Sequence, residues 1–269
     1  MSITMGAEHT CAVLESGHIK CWGRNTHGQL GNATTNSSSV PVDVDNIQRA
    51  GAISAGDLYT CAQLADATLK CWGDNSRYQL GDGTLDPVST TPVAVAGLDR
   101  PVAAVATGSN HACAVMDDGS MSCWGWGFYG QLGDGTDNSR NLPVTVADLP
   151  AAVIDAVAGT WHTCALLING AVYCWGLNIR GQIGDGDTFG QYNAPIAVPE
   201  LTQGVMAIAA NAADTCAVLA DGAAICWGDN TYGQRGNGDA TGRTRPAAVA
   251  GLDSAQLRWR AVSFIAVQD

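Results

Sequence analysis

Ten cysteines and three histidines are the residues whose types and spacing could do chemistry in this chain. The cysteines recur in five copies of one string, Cys, nine residues, Cys-Trp-Gly: Cys11 and Cys21, Cys61 and Cys71, Cys113 and Cys123, Cys164 and Cys174, Cys216 and Cys226. Thiols so placed could bind zinc, stay reduced as small buried side chains, or pair as disulfides. Zinc sites separate their paired cysteines by about two to four residues. Reduced cysteines, although common in cores, have no reason to keep a strict pairwise register. Disulfides are therefore expected, and with them an oxidising location: extracellular, periplasmic or at the cell surface. His9, His111 and His162 all stand two residues before the first cysteine of their repeat, where the other two repeats carry Tyr59 and Asp214. A ring of imidazoles could ligate a metal, but two repeats lack the ligand and no local carboxylate orients the rings. A scaffold role, each histidine bonding backbone in its own repeat, is the expectation, with no metal and no cofactor. The turns Asp82-Gly-Thr84, Asp134-Gly-Thr136 and Asp185-Gly-Asp187 lack the alternating ligands and distal Glu of a calcium loop and read as tight turns. No nucleophile elbow, phosphate loop or His/Glu metal motif is present, so no enzyme is expected.

The elements that position these residues follow from the period. The first cysteines step by 50, 52, 51 and 52 residues, a spacing typical of stacked-repeat and propeller architectures. In repeat 2 the runs from Gly51 to Gly56, Tyr59 to Leu64, Thr68 to Gly73 and Thr91 to Val95 are short, β-prone and bounded by Gly, Asp, Asn and Pro. They predict four strands, the content of one propeller blade. In repeat 1 the turn Glu15-Ser16-Gly17 suits a type I turn with a left-handed Gly. That register sets Leu14 opposite His18, Val13 opposite Ile19, Ala12 opposite Lys20 and Cys11 opposite Cys21. At a non-hydrogen-bonded pair the two Cα atoms would lie roughly 4.5 Å apart, within disulfide range. Repeat 2 carries Ala65-Asp66-Ala67 at this turn, which is expected to be strained or of another type.

A second signature follows each Cys-Trp-Gly: Gly28-Gln-Leu-Gly31, Tyr78-Gln-Leu-Gly81, Gly130-Gln-Leu-Gly133, Gly181-Gln-Ile-Gly184 and Gly233-Gln-Arg-Gly236. The Gln is expected to bond loop backbone and the apolar residue to plug inward, less well where Arg235 replaces it. Gly is abundant, at 33, and charged residues are scarce, at 14%, which fits a turn-rich all-β chain. The net charge of -12 argues against nucleic acid and anionic membrane surfaces as partners. No stretch approaches the ~20 apolar residues of a spanning helix, so no membrane insertion is expected. Met1-Ser2-Ile3-Thr4-Met5 has no basic region leading into an apolar one, so it is not read as a signal peptide. A secreted form would carry its signal outside this chain.

The combined string, Gly-x-x-His-Thr-Cys-Ala-Val-Leu-x-x-Gly-x-x-x-Cys-Trp-Gly-x-Asn-x-x-Gly-Gln-Leu-Gly, resembles the repeat of the regulator of chromosome condensation family, and repeat 1 follows it from Gly6 to Gly31. The resemblance implies a β-propeller of four-stranded blades, usually seven, with histidine as scaffold. The paired cysteines are similar to those of a secreted bacterial branch and of certain plant receptor-kinase ectodomains. The chain is expected to be a single all-β propeller-type domain, with repeats at about 1–49, 50–99, 100–152, 153–203 and 204–253. Residues 254–269 read as a degenerate extra strand, Arg260 to Ala266 matching the first strand of a repeat. Five repeats could form a smaller closed ring latched by that strand, part of a seven-bladed ring, or an open unit whose terminal strand pairs with a neighbour.

Aromatic residues that break the repeat mark candidate interaction sites. Trp126-Gly-Phe128-Tyr129 stands where the other repeats carry Arg-Asn-Thr-His, Asp-Asn-Ser-Arg, Leu-Asn-Ile-Arg or Asp-Asn-Thr-Tyr, so this loop is either locally buried or a binding hot spot. Phe189 and Tyr192, in the long loop of repeat 4, are a weaker candidate. Trp161 resembles a light-sensing tryptophan of a plant member of the family, but a single match without a surrounding cluster does not indicate photochemistry. Asn32-Ala-Thr and Asn36-Ser-Ser fit the glycosylation acceptor pattern. The expected function is a non-enzymatic extracellular scaffold that binds a protein partner or its own copies through loops or the terminal strand. The alternative is an inhibitor of a secreted enzyme, or a propeller binding a glycan or small ligand.

Overall fold

A computed structural model describes the chain from residue 2 to residue 252. The expected terminal strand at 260–266 lies outside the described residues. Among the described residues twenty strands form five four-stranded antiparallel sheets, each a simple meander in chain order. Blade 1 holds β1 (Ser2–Met5), β2 (His9–Val13), β3 (Ile19–Gly23) and β4 (Ser38–Asp43); blade 2 holds β5 (Ala50–Ala55), β6 (Tyr59–Leu64), β7 (Leu69–Asp74) and β8 (Val88–Ala94). Blade 3 holds β9 (Val102–Thr107), β10 (His111–Met116), β11 (Met121–Gly125) and β12 (Arg140–Thr145). Blade 4 holds β13 (Val153–Ala158), β14 (His162–Leu167), β15 (Val172–Leu177) and β16 (Gln191–Ala197); blade 5 holds β17 (Val205–Asn211), β18 (Asp214–Leu219), β19 (Ala224–Gly228) and β20 (Arg243–Ala248).

The hairpin register is the one that the turn chemistry predicts. Cys11 faces Cys21, Ala12 faces Lys20 and Val13 faces Ile19, and the corresponding cysteines face each other in blades 2 to 5. All five pairs are disulfides, with Cα atoms 4.0–4.1 Å apart. Repeat 2 keeps the common turn rather than adopting another: Ala67 takes the left-handed conformation (φ 62°) that Gly17, Gly119, Gly170 and Gly222 hold elsewhere. A Cβ there costs about 1–2 kcal/mol, and Gly returns part of that as chain entropy, roughly 0.5–1 kcal/mol. Ala67→Gly is therefore expected to stabilise the protein by about 0.5–1 kcal/mol, seen as a higher denaturation midpoint with unchanged slope.

The third and fourth strands of every blade break register at Trp-Gly. The Gly of Cys-Trp-Gly is needed there: a Cβ on Gly73 or Gly125 would lie 2.6 Å from the carbonyl oxygen of Leu58 or Asn110.

Among the described residues the apolar core is divided into four clusters, one at each joint between consecutive blades. In the first, Cys11, Val13, Ile19, Cys21 and Leu30 of blade 1 pack on Ala62 and Trp72 of blade 2. The two sequence signatures meet there, across the blade boundary. Trp72, Trp124, Trp175 and Trp227 are wholly buried, and each Nε1 donates to the backbone carbonyl of the preceding blade's Gln29, Gln79, Gln131 or Gln182 at 2.9–3.0 Å. The last Gly of the Gln-Leu-Gly signature makes room for that indole, since a Cβ on Gly81 would sit 2.6 Å from Trp124 Nε1. No joint of this kind links blade 5 to blade 1 among the described residues.

Candidate functional site

The repeated loop after Cys-Trp-Gly is built from two buried amides. The Gln of the second signature accepts the backbone N–H two residues earlier, as Gln29 does from His27 at 2.9 Å, which is the backbone bond expected of it. The Asn two residues after the Gly does more than its conspicuousness in the sequence suggests. Asn25 Oδ1 accepts from the Leu30 N–H, and its Nδ2 donates to the Thr34 and Asn36 carbonyls. Asn75, Asn178 and Asn230 staple their loops in the same manner. Its constant offset from Cys-Trp-Gly was the available signal.

Blade 3 lacks this staple. Gly127 stands in the Asn position, and a Cβ there would meet the Asn138 carbonyl at 2.1 Å. The loop closes down instead, held by Arg140, whose Nε and Nη2 donate to Asp134 at 3.0 and 2.7 Å. The hydrogen bonds of Asp134 outweigh its burial and hold its carboxyl below the usual range. The flanking aromatics then gather on the outside. Trp126 lies 6.5 Å from Phe128 and 5.5 Å from Tyr129 between ring centroids, and Phe128 lies 5.2 Å from Tyr129. Tyr129 also reaches Trp161, at 5.6 Å, on the loop between β13 and β14 of the next blade. From the preceding blade, Arg77 sets its guanidinium 5.2 Å from the Trp126 ring, within cation–π range. One patch thus spans three blades. Phe128 is 59% exposed, Arg77 is exposed, and Trp126, Tyr129 and Trp161 are half-buried.

The other candidates sit elsewhere. Phe189 is exposed, at 73%. Tyr192 lies half-buried in β16 and packs against the joints on both sides of blade 4. Its hydroxyl donates to Asp185, and that bond to a carboxylate raises its pKa to about 12. Asn32 is an internal part of its loop, its Oδ1 accepting from Asn25 and Thr34, while Asn36 is exposed. The Asp-Gly turns are closed on themselves: Asp82 and Asp134 each accept the backbone N–H of the Thr two residues on, at 3.0 Å.

The histidines bind across joints. The expectation that they bond backbone in their own repeat is corrected: Nε2 of His9, His111 and His162 meets Thr60, Thr163 and Thr215 Oγ1 of the following blade at 2.8–2.9 Å. Each threonine hydroxyl donates to the same Gln carbonyl that receives the Trp N–H. The hydroxyl hydrogen is thereby spent, so the histidine must donate from Nε2, leaving Nδ1 unprotonated, buried and without a partner. Burial lowers the pKa to about 4 for His9 and His162 and about 3 for His111. Tyr59 fits the same position because blade 3 offers Ala112 and no hydroxyl; its own hydroxyl donates to the backbone of Gly108 and His111. Among the described residues no three His, Cys, Asp or Glu side chains come together to hold a metal.

A cavity of about 260 Å³ opens where the turns between first and second strands of all five blades converge. Its walls are mostly Gly, Ala, Ser and Thr, with Asp57 the one carboxylate.

A family model described as an RCC1-like domain matches residues 1–266. The chain is 31% identical over 256 residues to the ultraviolet-B receptor UVR8 of Arabidopsis thaliana, covering 93% of this chain and 58% of that protein. It is 27% identical over 263 residues to the E3 ubiquitin-protein ligase HERC2 of Homo sapiens, covering 95% of this chain and 4% of that one. Thus it spans little more than half of the first relative and a small part of the second. Among solved structures, human WBSCR16 superposes with a TM-score of 0.84 at 23% identity, over 93% of this chain and 66% of that one. Yeast RCC1 (Prp20), solved bound to Kap60, superposes with a TM-score of 0.63 at 19% identity, over 93% of this chain and 74% of that one.

Proposed function

From the premise that this chain belongs to the RCC1-like domain family, we propose that it is a non-enzymatic, extracellular protein-interaction scaffold that recognises its partner through the Trp126–Phe128–Tyr129–Trp161 patch and Arg77. The observation carrying this proposal is the patch itself. Four aromatic rings and a guanidinium from three blades are gathered at the surface by ring–ring and cation–π contacts. Aromatic and Arg side chains dominate binding hot spots, and contacts that fix their rotamers in advance lower the entropy lost on binding. No other repeat places three aromatic residues here, blades 1 and 2 carrying Arg24, Thr26, His27 and Asp74, Ser76, Arg77, so the patch is a local departure rather than a demand of the fold. The five disulfides support an oxidising location. Yeast RCC1 (Prp20), which shares the fold, was solved bound to a protein, Kap60.

The test is quantitative capture from the native surroundings by cross-linking, followed by titration of the captured partner. Trp126→Ala and Phe128→Ser are expected to weaken that partner by roughly 2 kcal/mol or more, about thirtyfold, each with an unchanged melting curve. Equal binding by wild type and both variants would remove the patch from the proposal.

A further inference from the structure

Blade 3 departs from the repeat at the residue after Cys-Trp-Gly, and what it lacks there is a carboxylate. In blades 2 and 5 that position holds Asp74 and Asp229. Each receives the amide of its own loop glutamine: Gln79 Nε2 donates to Asp74 at 2.8 Å, and Gln234 Nε2 to Asp229 at 3.5 Å. Asp229 also feels an arginine of the preceding blade. The Thr231 hydroxyl, and beyond it the charge of Arg180, hold its carboxyl below the usual range. In blade 3 Trp126 takes this position, and both kinds of donor remain without their acceptor. Gln131 Oε1 accepts the Tyr129 N–H at 2.9 Å, as Gln79 Oε1 accepts the Arg77 N–H at 2.8 Å. The two carboxamides are therefore turned the same way, and Gln131 Nε2 points to the side of Trp126. It is buried and has no acceptor. Arg77, at the same repeat position as Arg180, sets its guanidinium against the Trp126 ring. It forms no ion pair among the described residues. Blade 1 also lacks the carboxylate, but there the position holds Arg24, which is paired with Glu8.

We propose that the aromatic patch recognises an acidic peptide segment of its partner, an Asp or Glu side chain beside an apolar one, whose carboxylate supplies what blade 3 lacks. The proposal rests on reading the patch as the partner site and names what that site takes. Arg77 is exposed, and its free edge receives the carboxylate, which a guanidinium can hold by two parallel bonds. Gln131 acts from below without contact. Its N–H dipole, matched by no acceptor, adds to the positive potential beside Trp126. Phe128 and Tyr129 take the apolar neighbour. The whole chain carries a net charge of -12, so long-range steering does not bring an acidic partner in. The selection is local, made inside the ~8 Å over which charges act at physiological salt.

Random peptides displayed on phage are selected on the full chain, with Phe128→Ser as counter-target, and the enriched peptides are synthesised and titrated by fluorescence anisotropy. They are expected to carry an acid next to an apolar residue. Replacing that acid by its amide should weaken binding to wild type by roughly tenfold. Arg77→Gln should bind the acid and amide peptides equally weakly, and Arg77→Glu should prefer a peptide with lysine in the acid's place. Both variants change an exposed side chain, so their melting curves are expected to match wild type. Peptides that need Phe128 but carry no acid, or that bind as well with the amide, overturn this proposal and leave the partner site standing. Acidic peptides that bind Phe128→Ser and Arg77→Gln as tightly as wild type overturn both. Failure to enrich any peptide over the counter-target overturns the acidic-peptide proposal alone, because cross-linked capture of a folded partner still tests the site.

Discussion

Acidification is expected to unlock three of the four joints before the protein unfolds as a whole. His9, His111 and His162 each donate from Nε2 across a joint and hold a bare Nδ1 in a site with no acceptor. A second proton would place an unpaired cation there, which is why burial takes these groups down to about 4, 3 and 4. The folded-state pKa lies below the unfolded one, so the unfolded chain binds more protons between the two values. The stability these residues contribute is complete above about pH 6.5 and is lost as the pH falls toward 4, by about 3 kcal/mol for each histidine at about pH 4. Asp155 works in the opposite sense. Its burial raises it to about 6, so acidification relieves its cost and offsets part of the loss. The joint between blades 2 and 3 is held by Tyr59, whose hydroxyl keeps its proton throughout this range because burial raises its pKa further. Hydrogen exchange at mildly acid pH should therefore retain protection in blades 2 and 3 after the other joints lose it. Denaturant melts of wild type at neutral and acid pH, set beside the triple variant His9→Gln, His111→Gln, His162→Gln, provide the check. Glutamine can still donate to threonine but does not titrate, so the variant should flatten the profile between about pH 6.5 and 4. An equally steep profile in the variant would show that other groups control acid stability.

Reduction is expected to be the other large effect. Each disulfide closes a loop with a sequence separation of 10, for which chain entropy gives about 2–3 kcal/mol. Five such loops sum to roughly 10–15 kcal/mol, as large as the whole stability of an ordinary domain, about 5–15 kcal/mol. The fully reduced chain should therefore be unfolded or nearly so at room temperature, seen as loss of near-ultraviolet circular dichroism and a collapse in the denaturation midpoint. The order of reduction is also expected to be uneven. Eight half-cystines are 0% exposed and lie inside joints, whereas Cys216 is half-buried. Thiolate attack needs access to sulfur, so alkylation and mass spectrometry during a reductant titration should find Cys216 and Cys226 first. Simultaneous loss of all five bonds, or first reduction at Cys113–Cys123, would contradict this.

Much of the fold was legible because its information is local. A nine-residue interval with Gly at the end of the turn admits one hairpin register, and that register alone brings Cys11 to Cys21. The same logic covers all five blades, including blade 2, where Ala67 endures a backbone position that glycine fills elsewhere. The site was legible only in part. Trp126, Phe128 and Tyr129 stood out by breaking the repeat, but Arg77 and Trp161 occupy ordinary loop positions in other blades, and only blade packing brings them to the same patch. Phe189 and Tyr192, the weaker candidates, also broke the pattern, yet one stands exposed on the surface and the other is drawn inward by Asp185.

The histidines divide the two kinds of information most clearly. Their spacing announced a repeated role, and the sequence alone determined that each would sit beside a disulfide in a second strand. It did not determine the partner, because that partner lies 51 to 53 residues away in the next blade. The same holds for Trp and Gln, 43 to 45 residues apart. Turn chemistry and strand alternation act over a few residues and therefore appear in the string itself. Joints between blades depend on how one sheet stacks on another, so the pairing of each histidine with a threonine hydroxyl, and the gathering of one aromatic loop rather than another into a patch, were decided by tertiary structure.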